Sequence, residues 1–239
     1  MCTRYVLLKE HLRELLARLG LEANPDFVSR YNIAPGSWIP AVRTPHHGLK
    51  HATVSLRWGL VPSWAKTAES ATQLVNARAE TVASKPSFRE ALRKRRCLIP
   101  ATGFYEWEHR GSTKRPWLFR RRDEQPFAFA GLWELWRAPD GGTLETCAIV
   151  TTEPNDLMRP IHDRFPVMIT PENFGLWLDQ SVTDPDALAP LCRAPLSETV
   201  SATAVSRYMS NVRHEGPKCL MPAGADEEED DNQLSLGLG

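Results

Sequence analysis

Residues 97–150 read CLIPATGFYEWEHRGSTKRPWLFRRRDEQPFAFAGLWELWRAPDGGTLETCAIV. Short runs rich in aromatic and aliphatic residues alternate there with marked turns, such as Arg110-Gly111-Ser112 and Pro139-Asp140-Gly141-Gly142. Runs of this length bounded by Gly and Pro are typical of β-strands. The strands predicted within the segment are Cys97–Ile99, Phe104–Glu108, Trp117–Phe119, Phe127–Ala130 and Glu145–Val150.

Helices are predicted on both sides of this segment. The first is indicated by leucines at helical spacing ahead of Gly20, a residue suited to end a helix. These leucines are Leu8, Leu12, Leu15, Leu16 and Leu19. Ser87 and Glu90 have capping-box spacing and predict the start of a second helix. A third is predicted to begin at Thr170-Pro171 and to bury Phe174, Trp177 and Leu178.

The remaining pattern favours one α+β domain. Alternating apolar residues predict a strand at Val54, Leu56 and Trp58, and a short apolar run predicts another at Val167–Ile169. Many short strands with a few separated helices predict a largely antiparallel sheet or barrel core with flanking helices. The 239 residues suit a single domain. We expect it to cover residues 1–222, followed by a disordered acidic tail over residues 223–239.

The composition favours a soluble, cytoplasmic protein. It is 42% hydrophobic with eight Trp and eight Phe, enough for a sizeable core. No apolar run approaches the ~20 residues of a membrane span, and the N-terminus lacks a signal-peptide core. Five scattered cysteines without a CxxC pair argue against a disulfide framework and a zinc site. We expect a monomer without metal or cofactor.

The formal net charge of zero hides an asymmetry. Residues 226–231 read DEEEDD, and without these six acids 29 basic residues face 23 acidic ones. A basic body with an acidic tail is compatible with a nucleic-acid partner, although many enzymes carry such a surplus.

Cys2 stands directly after the initiator Met, and a small second residue normally permits removal of Met1. The α-amine and thiol of the new terminus would then lie on adjacent carbons. An α-amine has a pKa of about 7.7–8, so a usable fraction is unprotonated near neutral pH. It can attack an aldehyde to form an imine, and the thiol can close a five-membered thiazolidine intramolecularly. The alternative is that cysteine stands at this position by chance.

Seven motifs spread along the chain bear on that choice. In order they are MCTRY (1–5), RYNIAPG (30–36), WGLVPSW (58–64), NARAE (76–80), GFYEW (103–107), IHDRFPVMI (161–169) and VSRYMSNV (205–212). Together they resemble the SRAP family (SOS response-associated peptidase), whose members are also called abasic-site processing proteins. The resemblance covers roughly residues 2–222. Position 3 departs from it, because Thr3 stands where the family commonly has Gly.

The resemblance implies a covalent reaction with DNA. In the family the N-terminal cysteine forms a thiazolidine with the ring-opened sugar of an abasic site in single-stranded DNA. The reaction passes through lyase-like imine chemistry, and the product shields the lesion. Cys2 is then the nucleophile, Asn76 positions its α-amine, and Glu106 and His162 move protons. The implied DNA contacts are Arg4, Arg78 and Arg164 to phosphates, Trp107 to a base, and Thr151 to the backbone.

Residue chemistry agrees with these roles but leaves structural alternatives open. A carboxylate and an imidazole suit the proton transfers of imine formation, and arginines orient a strand without reading its sequence. Glu106 could instead be a salt-bridged strand residue, His162 a structural histidine and Asn76 a turn cap. Trp107 could belong to the core, and the arginines to surface ion pairs.

Two other functions use the same residues. A cysteine peptidase would use the Cys2 thiolate as nucleophile and His162 as base, and it could act on its own N-terminus. Only Met1 precedes Cys2, which leaves little to cleave. A non-catalytic module that binds single-stranded or modified-base DNA is the second alternative.

The tail carries a further motif, formed by Gln233, Leu234, Leu236 and Leu238 in NQLSLGLG (232–239). It resembles the short QLxLxL peptide by which bacterial repair and replication proteins bind the DNA sliding clamp. Spaced leucines in an extended peptide can enter an apolar pocket beside a hydrogen-bonded Gln amide. Self-repulsion within DEEEDD is expected to extend the tail and hold the motif away from the body. The alternative is an inert solubilising tail, since short motifs often recur by chance.

Overall fold

The computed structural model describes residues 2–45, 50–69 and 74–224. The strands are β1 Tyr5–Leu7, β2 Arg30–Ile33, β3 Trp38–Arg43, β4 Ala52–Trp58, β5 Asn76–Arg78, β6 Arg96–Ala101, β7 Gly103–Arg110, β8 Thr113–Arg121, β9 Phe127–Arg137, β10 Thr143–Thr152, β11 Phe165–Pro166, β12 Met168–Ile169 and β13 Val200–Ala204. The helices are α1 Lys9–Arg18, α2 Ala79–Val82, α3 Arg89–Lys94, α4 Phe174–Leu178 and α5 Pro185–Leu188. Single 3₁₀ turns cover residues 171–173, 189–192, 197–199, 207–210 and 217–220.

Two sheets share one core. The first has the strand order β13-β8-β7-β1-β2. In the second, β10 pairs with β4, β4 with β3, β3 with β6, β6 with β9, and β9 returns to β10. These pairings close a five-stranded barrel, which leaves none of the five as an open edge. The α+β class and the largely antiparallel core are confirmed; the parallel pairs are β10 with β4 and with β5.

Aromatic side chains fill the space between the two sheets. The Tyr5 ring of β1 lies 5.6 Å from the rings of Trp58 and Phe129 in the barrel. Edge-to-face contacts at this distance add to the free energy gained by burial. Gly103 keeps β7 close to β8, since a Cβ there would lie 2.7 Å from the Phe119 carbonyl oxygen. The core therefore anchors β1 within a few residues of Cys2.

Most helices and strands predicted from the sequence are confirmed. The first helix ends before Gly20, which has a φ of +68°. The capping box at Ser87 is wrong, because α3 begins at Arg89 after Phe88 and has no side-chain cap. The carbonyl of Lys85 accepts the N–H groups of both Phe88 and Arg89, so a turn takes the place of the serine hydroxyl. The third helix begins with a 3₁₀ turn at Pro171, and its three predicted apolar residues are buried.

Within the described residues, no helix is long and apolar enough to cross a membrane. The predicted tail, with Gln233, Leu234, Leu236 and Leu238, lies outside the described residues.

Strand pairing brings predicted site residues that are distant in sequence next to one another. The Tyr105 amide donates a hydrogen bond of 2.9 Å to the Arg4 carbonyl, which aligns the chain before β1 with Glu106 in β7. At the end of β10, Thr151 is in register with Arg78 of β5 on one side and with Pro166 of β11 on the other.

Candidate active site

Cys2 is buried, and its backbone is held by a side chain from β5, which pairs with β10 of the barrel. The side chain is 1% exposed, and its Sγ lies 4.0 Å from the Arg4 carbonyl oxygen. The Asn76 amide donates a hydrogen bond of 2.9 Å to the Cys2 carbonyl oxygen. The resemblance implied that Asn76 positions the α-amine of Cys2, and the contact in the structure is with the carbonyl oxygen of the same residue.

The Cys2 thiol is held in its protonated form. Burial raises its pKa well above the usual value, and the negative charge of Glu106 raises it further. A cysteine peptidase requires the opposite, because its nucleophile is a thiolate with a lowered pKa. The environment of Cys2 therefore suits a neutral thiol.

Glu106 is a buried carboxyl group that can exchange a proton near neutral pH. It lies on β7 opposite Trp117, and its side chain is 2% exposed. Burial raises its pKa to about 7, although the positive charge of the N-terminus and the backbone hydrogen bond from Trp107 lower it. At neutral pH both protonation states are populated, as a group that gives and takes protons requires.

His162 is a neutral imidazole at the same pH. Burial lowers its pKa below the ordinary 6.5. The Arg164 amide lies 3.0 Å from Nδ1 and donates to it, while the Asp163 carboxylate, 81% exposed, also lies 3.0 Å from Nδ1. Because the lowered pKa favours a neutral ring, we take Nδ1 as the acceptor and place the proton on Nε2. The ring then presents an N–H donor on its other side.

Glu106 and His162 line the same cavity, which has a volume of about 700 Å³. Thr3, next to Cys2, and Trp107 lie on its wall. The Trp107 indole N–H donates to the Ser210 hydroxyl at 3.3 Å, and its ring lies 5.9 Å from the Arg4 guanidinium. The cavity therefore places a proton-exchanging carboxyl, a neutral imidazole and an aromatic face beside the N-terminal segment.

Arg4 anchors the N-terminal segment through hydrogen bonds to Asn32 and Met209. Its Nη1 donates to the Asn32 side-chain oxygen at 2.8 Å and to the Met209 carbonyl at 3.2 Å. Asn32 in turn donates to the carbonyls of Met209, Asn211 and His214. These hydrogen bonds fix the position of the Arg4 guanidinium.

The other two predicted phosphate contacts differ in their surroundings. Arg78 is exposed at the end of β5, whereas Arg164 is 9% exposed. The Arg164 Nη2 lies 2.8 Å from both the Glu80 carboxylate and the Thr151 carbonyl oxygen. The Thr151 hydroxyl is buried and has no hydrogen-bond partner in the part of the chain that the structure describes.

Three contacts of the site were not predicted from the sequence: Asn32 beneath Arg4, Glu80 beside Arg164, and Ser210 beside Trp107. Each lies in a motif that was noted there, RYNIAPG, NARAE or VSRYMSNV. Those motifs were the available signal, but nothing in their spacing pairs Asn32 with Arg4 across 28 residues. Among residues 2–45, 50–69 and 74–224, no group of three or more His, Cys, Asp or Glu could hold a metal ion.

Comparison with known proteins identifies the family. The family model described as SOS response associated peptidase (SRAP) matches residues 1–212. This chain is a member of the SRAP family. It is 38% identical over 224 residues to the abasic site processing protein YoqW of Bacillus subtilis, covering 92% of this chain and 99% of that protein.

Other SRAP relatives and a solved structure agree with this assignment. The abasic site processing protein HMCES of Gallus gallus is 31% identical over 222 residues, covering 80% of this chain and 66% of that protein. An X-ray structure of a protein from Bacteroides thetaiotaomicron superimposes with a TM-score of 0.81 at 27% identity, covering 93% of this chain and all of that one.

Proposed function

We propose that this SRAP protein processes abasic sites in DNA by forming a covalent bond from Cys2 to the lesion in single-stranded DNA. The observation that carries the proposal is a buried Cys2, fixed by Asn76, beside a carboxyl group whose pKa is about 7. Relatives named abasic site processing proteins, including YoqW and HMCES, support the choice of substrate.

The reaction needs only the terminal amine and thiol of Cys2 after Met1 is removed. The amine attacks the aldehyde carbon of the ring-opened sugar, and a C–N bond forms as the carbonyl becomes a hydroxyl group. Protonation of that hydroxyl expels water and leaves an imine. The thiol sulfur then adds to the imine carbon, and its proton passes to the nitrogen. One water is released, and the product is a thiazolidine.

Glu106 and His162 are assigned to the proton transfers. Protonated Glu106 can deliver a proton to the departing hydroxyl, and its carboxylate form can take one from the amine. The neutral His162 ring can donate a hydrogen bond from Nε2 to the sugar hydroxyl or to the aldehyde oxygen, which stabilises the negative charge that develops there while Glu106 transfers the proton. Because the Cys2 thiol is protonated, it brings the proton that the imine nitrogen needs when the ring closes.

Residues around this centre are assigned to DNA contacts. Exposed Arg78 is assigned to a flanking phosphate, and Trp107 to stacking against a base, which tolerates any sequence. Arg164 and Arg4 are assigned to phosphates near the lesion, where protein hydrogen bonds hold both guanidinium groups in place. Thr151 is assigned to the sugar-phosphate backbone, since its buried hydroxyl has no described partner.

A denaturing gel with an abasic oligonucleotide tests the covalent bond. The wild-type protein is expected to remain attached after denaturation without borohydride. Cys2→Ala should lose the adduct but keep weak DNA binding, and Cys2→Ser should give an imine that only borohydride traps. Normal cross-linking by Cys2→Ala would overturn the proposal. Transient binding by the wild-type protein would instead favour a non-catalytic DNA-binding module.

Peptidase activity is limited in this proposal to removal of Met1. The raised pKa of the Cys2 thiol disfavours attack by a thiolate on other peptides. Intact mass of the purified protein shows whether Met1 is absent. If Glu106→Gln retains Met1 while the wild-type protein loses it, removal is autoproteolytic; if both lose it equally, another enzyme removes it.

The tail is assigned to docking on the bacterial sliding clamp, which would bring a cytoplasmic protein to stalled replication forks. The support is the sequence QLSLGL, with Gln233, Leu234, Leu236 and Leu238. Fluorescence anisotropy with a peptide covering residues 225–239 and the clamp of the source organism tests it. Micromolar binding that is lost on Gln233→Ala with Leu236→Ala is expected, and no binding at high micromolar concentration would refute it.

A further inference from the structure

Two adjoining cavities form a basic groove along the β7–β8 hairpin. The active-site cavity extends to Lys114, and a second cavity of about 690 Å³ is lined by Arg110 and Arg115. Thr113 and Arg207 line both cavities, so the two adjoin at these residues. We call the second cavity the hairpin groove, defined by Arg110, Thr113, Arg115 and Arg207.

The hairpin groove has more positive than negative charge. Arg207 is exposed, and the Arg115 guanidinium lies 5.1 Å over the Trp117 ring. Arg110 is paired with Glu108 at 3.0 Å. Within the described residues, no Asp or Glu lines the second cavity. A surface of this kind attracts an extended polyanion.

The chain itself supplies such a polyanion next to the groove. Ala223 and Gly224 line the second cavity beside Arg115 and Arg207. The acidic segment DEEEDD begins two residues later, at position 226, and carries six acids up to position 231. An extended chain covers at most ~3.6 Å per residue, so six residues span about 20 Å. The acids therefore start within reach of the arginines without a long linker.

We infer that the acidic segment 226–231 binds in the hairpin groove of its own chain and competes there with single-stranded DNA. The short connection from Gly224 gives the segment an effective concentration on the order of millimolar, so weak ion pairs suffice to occupy the groove. A tail bound in the groove differs from the extended tail that self-repulsion alone predicts, because the groove supplies positive charge that offsets the repulsion between the acids. The competition with DNA rests on the proposed function, whereas the contact between tail and groove does not.

The contact is tested first without DNA. In a full-length variant, the six acids of segment 226–231 are replaced by Asn and Gln, which preserves chain length. A labelled peptide covering residues 225–232 is expected to bind this variant with a Kd below about 1 mM at low salt, the range in which tethered binding is effective. Binding should be lost in high salt and weakened by Arg115→Gln with Arg207→Gln. Arg13→Gln with Arg89→Gln, a matched loss of two positive charges at exposed positions on α1 and α3, should leave it unchanged.

Competition is tested with an undamaged single-stranded oligonucleotide, so that abasic-site chemistry plays no part. The neutral-tail variant should bind it several-fold more tightly than the wild-type protein. In the background of Arg115→Gln with Arg207→Gln, neutralising the tail should give a clearly smaller gain. An equal gain in DNA affinity in both backgrounds would show that the acidic tail repels DNA without occupying the groove, and it would overturn the inference. DNA binding that depends on Arg115 and Arg207 without any peptide binding would also overturn it and leave the groove to DNA alone. Failure of abasic cross-linking with normal peptide binding would refute only the proposed function.

Discussion

The Asn76 side-chain amide donates a hydrogen bond of 2.9 Å to the Cys2 carbonyl oxygen and thereby ties the N-terminus to the barrel. Asn76 lies on β5, in register with Ile149 of β10, so its position is fixed by the barrel. Its Oδ1 is buried and has no hydrogen-bond partner among the residues that the structure describes. One end of the amide therefore holds the Cys2 backbone, while the other is an acceptor suited to an amine.

Asn76→Ala should slow cross-linking more than it weakens DNA binding. Without the amide, the Cys2 backbone loses its orientation, and misplacement of a reacting group by about 1 Å can cost ~10²-fold in rate. Single-turnover cross-linking under saturating protein measures this rate. Asn173→Ala serves as the control, since its amide bonds only to Thr170 Oγ1 in the described structure, at 3.4 Å near α4. An unchanged rate for Asn76→Ala would remove Asn76 from the site.

Glu106→Gln should stabilise the protein at alkaline pH while it slows cross-linking. Because burial raises the folded-state pKa to about 7, the stability contributed by Glu106 is fully present below its unfolded pKa near 4.5 and is lost as the pH rises through 7. The neutral amide of Gln does not ionise and so avoids this loss of folding free energy, which is roughly 3 kcal/mol for a pKa raised from 4.5 to about 7. Urea unfolding at pH 4.5 and 8.5 should show a gain only at the higher pH, and the cross-linking rate should fall by ~10²–10⁴-fold.

Glu134→Gln is the matched control for that experiment. Glu134 is also buried, but Arg95 pairs with it at 2.8 Å, so the substitution should destabilise the protein at pH 8.5 and spare the cross-linking rate. If Glu106→Gln destabilises the protein as Glu134→Gln does, Glu106 is a structural ion-pair residue and its catalytic role is wrong.

His162→Gln should lower the single-turnover rate without changing DNA affinity. Burial holds the His162 pKa below 6.5, so the wild-type ring is neutral and keeps its Nε2 donor at pH 7.5. The expected loss is ~10²–10³-fold, typical of the loss of one hydrogen-bond donor to a developing negative charge. His51→Gln, which removes a ring bonded to Thr44 away from the cavity, should react at the wild-type rate. A loss of affinity at a constant rate would make His162 a binding residue.

Sequence patterns predicted the strands that carry strong alternation but missed several short ones. The hairpins between Gly103 and Thr152 have long apolar runs and clear turns, so their strands were found. β1, β2 and β5 contain only three or four residues and are strands because neighbours hold them: Tyr5, for example, pairs with both Ile33 and Phe104. Such pairing is non-local and leaves little trace in a short sequence.

The candidate site also combines residues that the sequence identified with properties that only the fold determines. Its reacting groups were named through the family resemblance, because Cys2, Glu106 and His162 each lie in a motif. Their protonation could not be predicted, since the raised pKa of Glu106 depends on burial between strands that are distant in sequence. The ion pair of Arg164 with Glu80 spans 84 residues and likewise follows only from the fold.

Arg78→Ala and Arg164→Ala should separate DNA contact from structural support. Arg78 is exposed, so its loss should reduce affinity for single-stranded DNA and lower the slope of log affinity against log salt by about 0.7, the value for one phosphate. Its urea midpoint should stay at the wild-type value. Arg164→Ala also removes hydrogen bonds to Glu80 and to the buried Thr151 carbonyl, which should cost roughly 1–3 kcal/mol of stability. Equal salt slopes for Arg78→Ala and the wild-type protein would exclude a phosphate contact there. An unchanged urea midpoint for Arg164→Ala would show that its protein contacts contribute nothing to the fold.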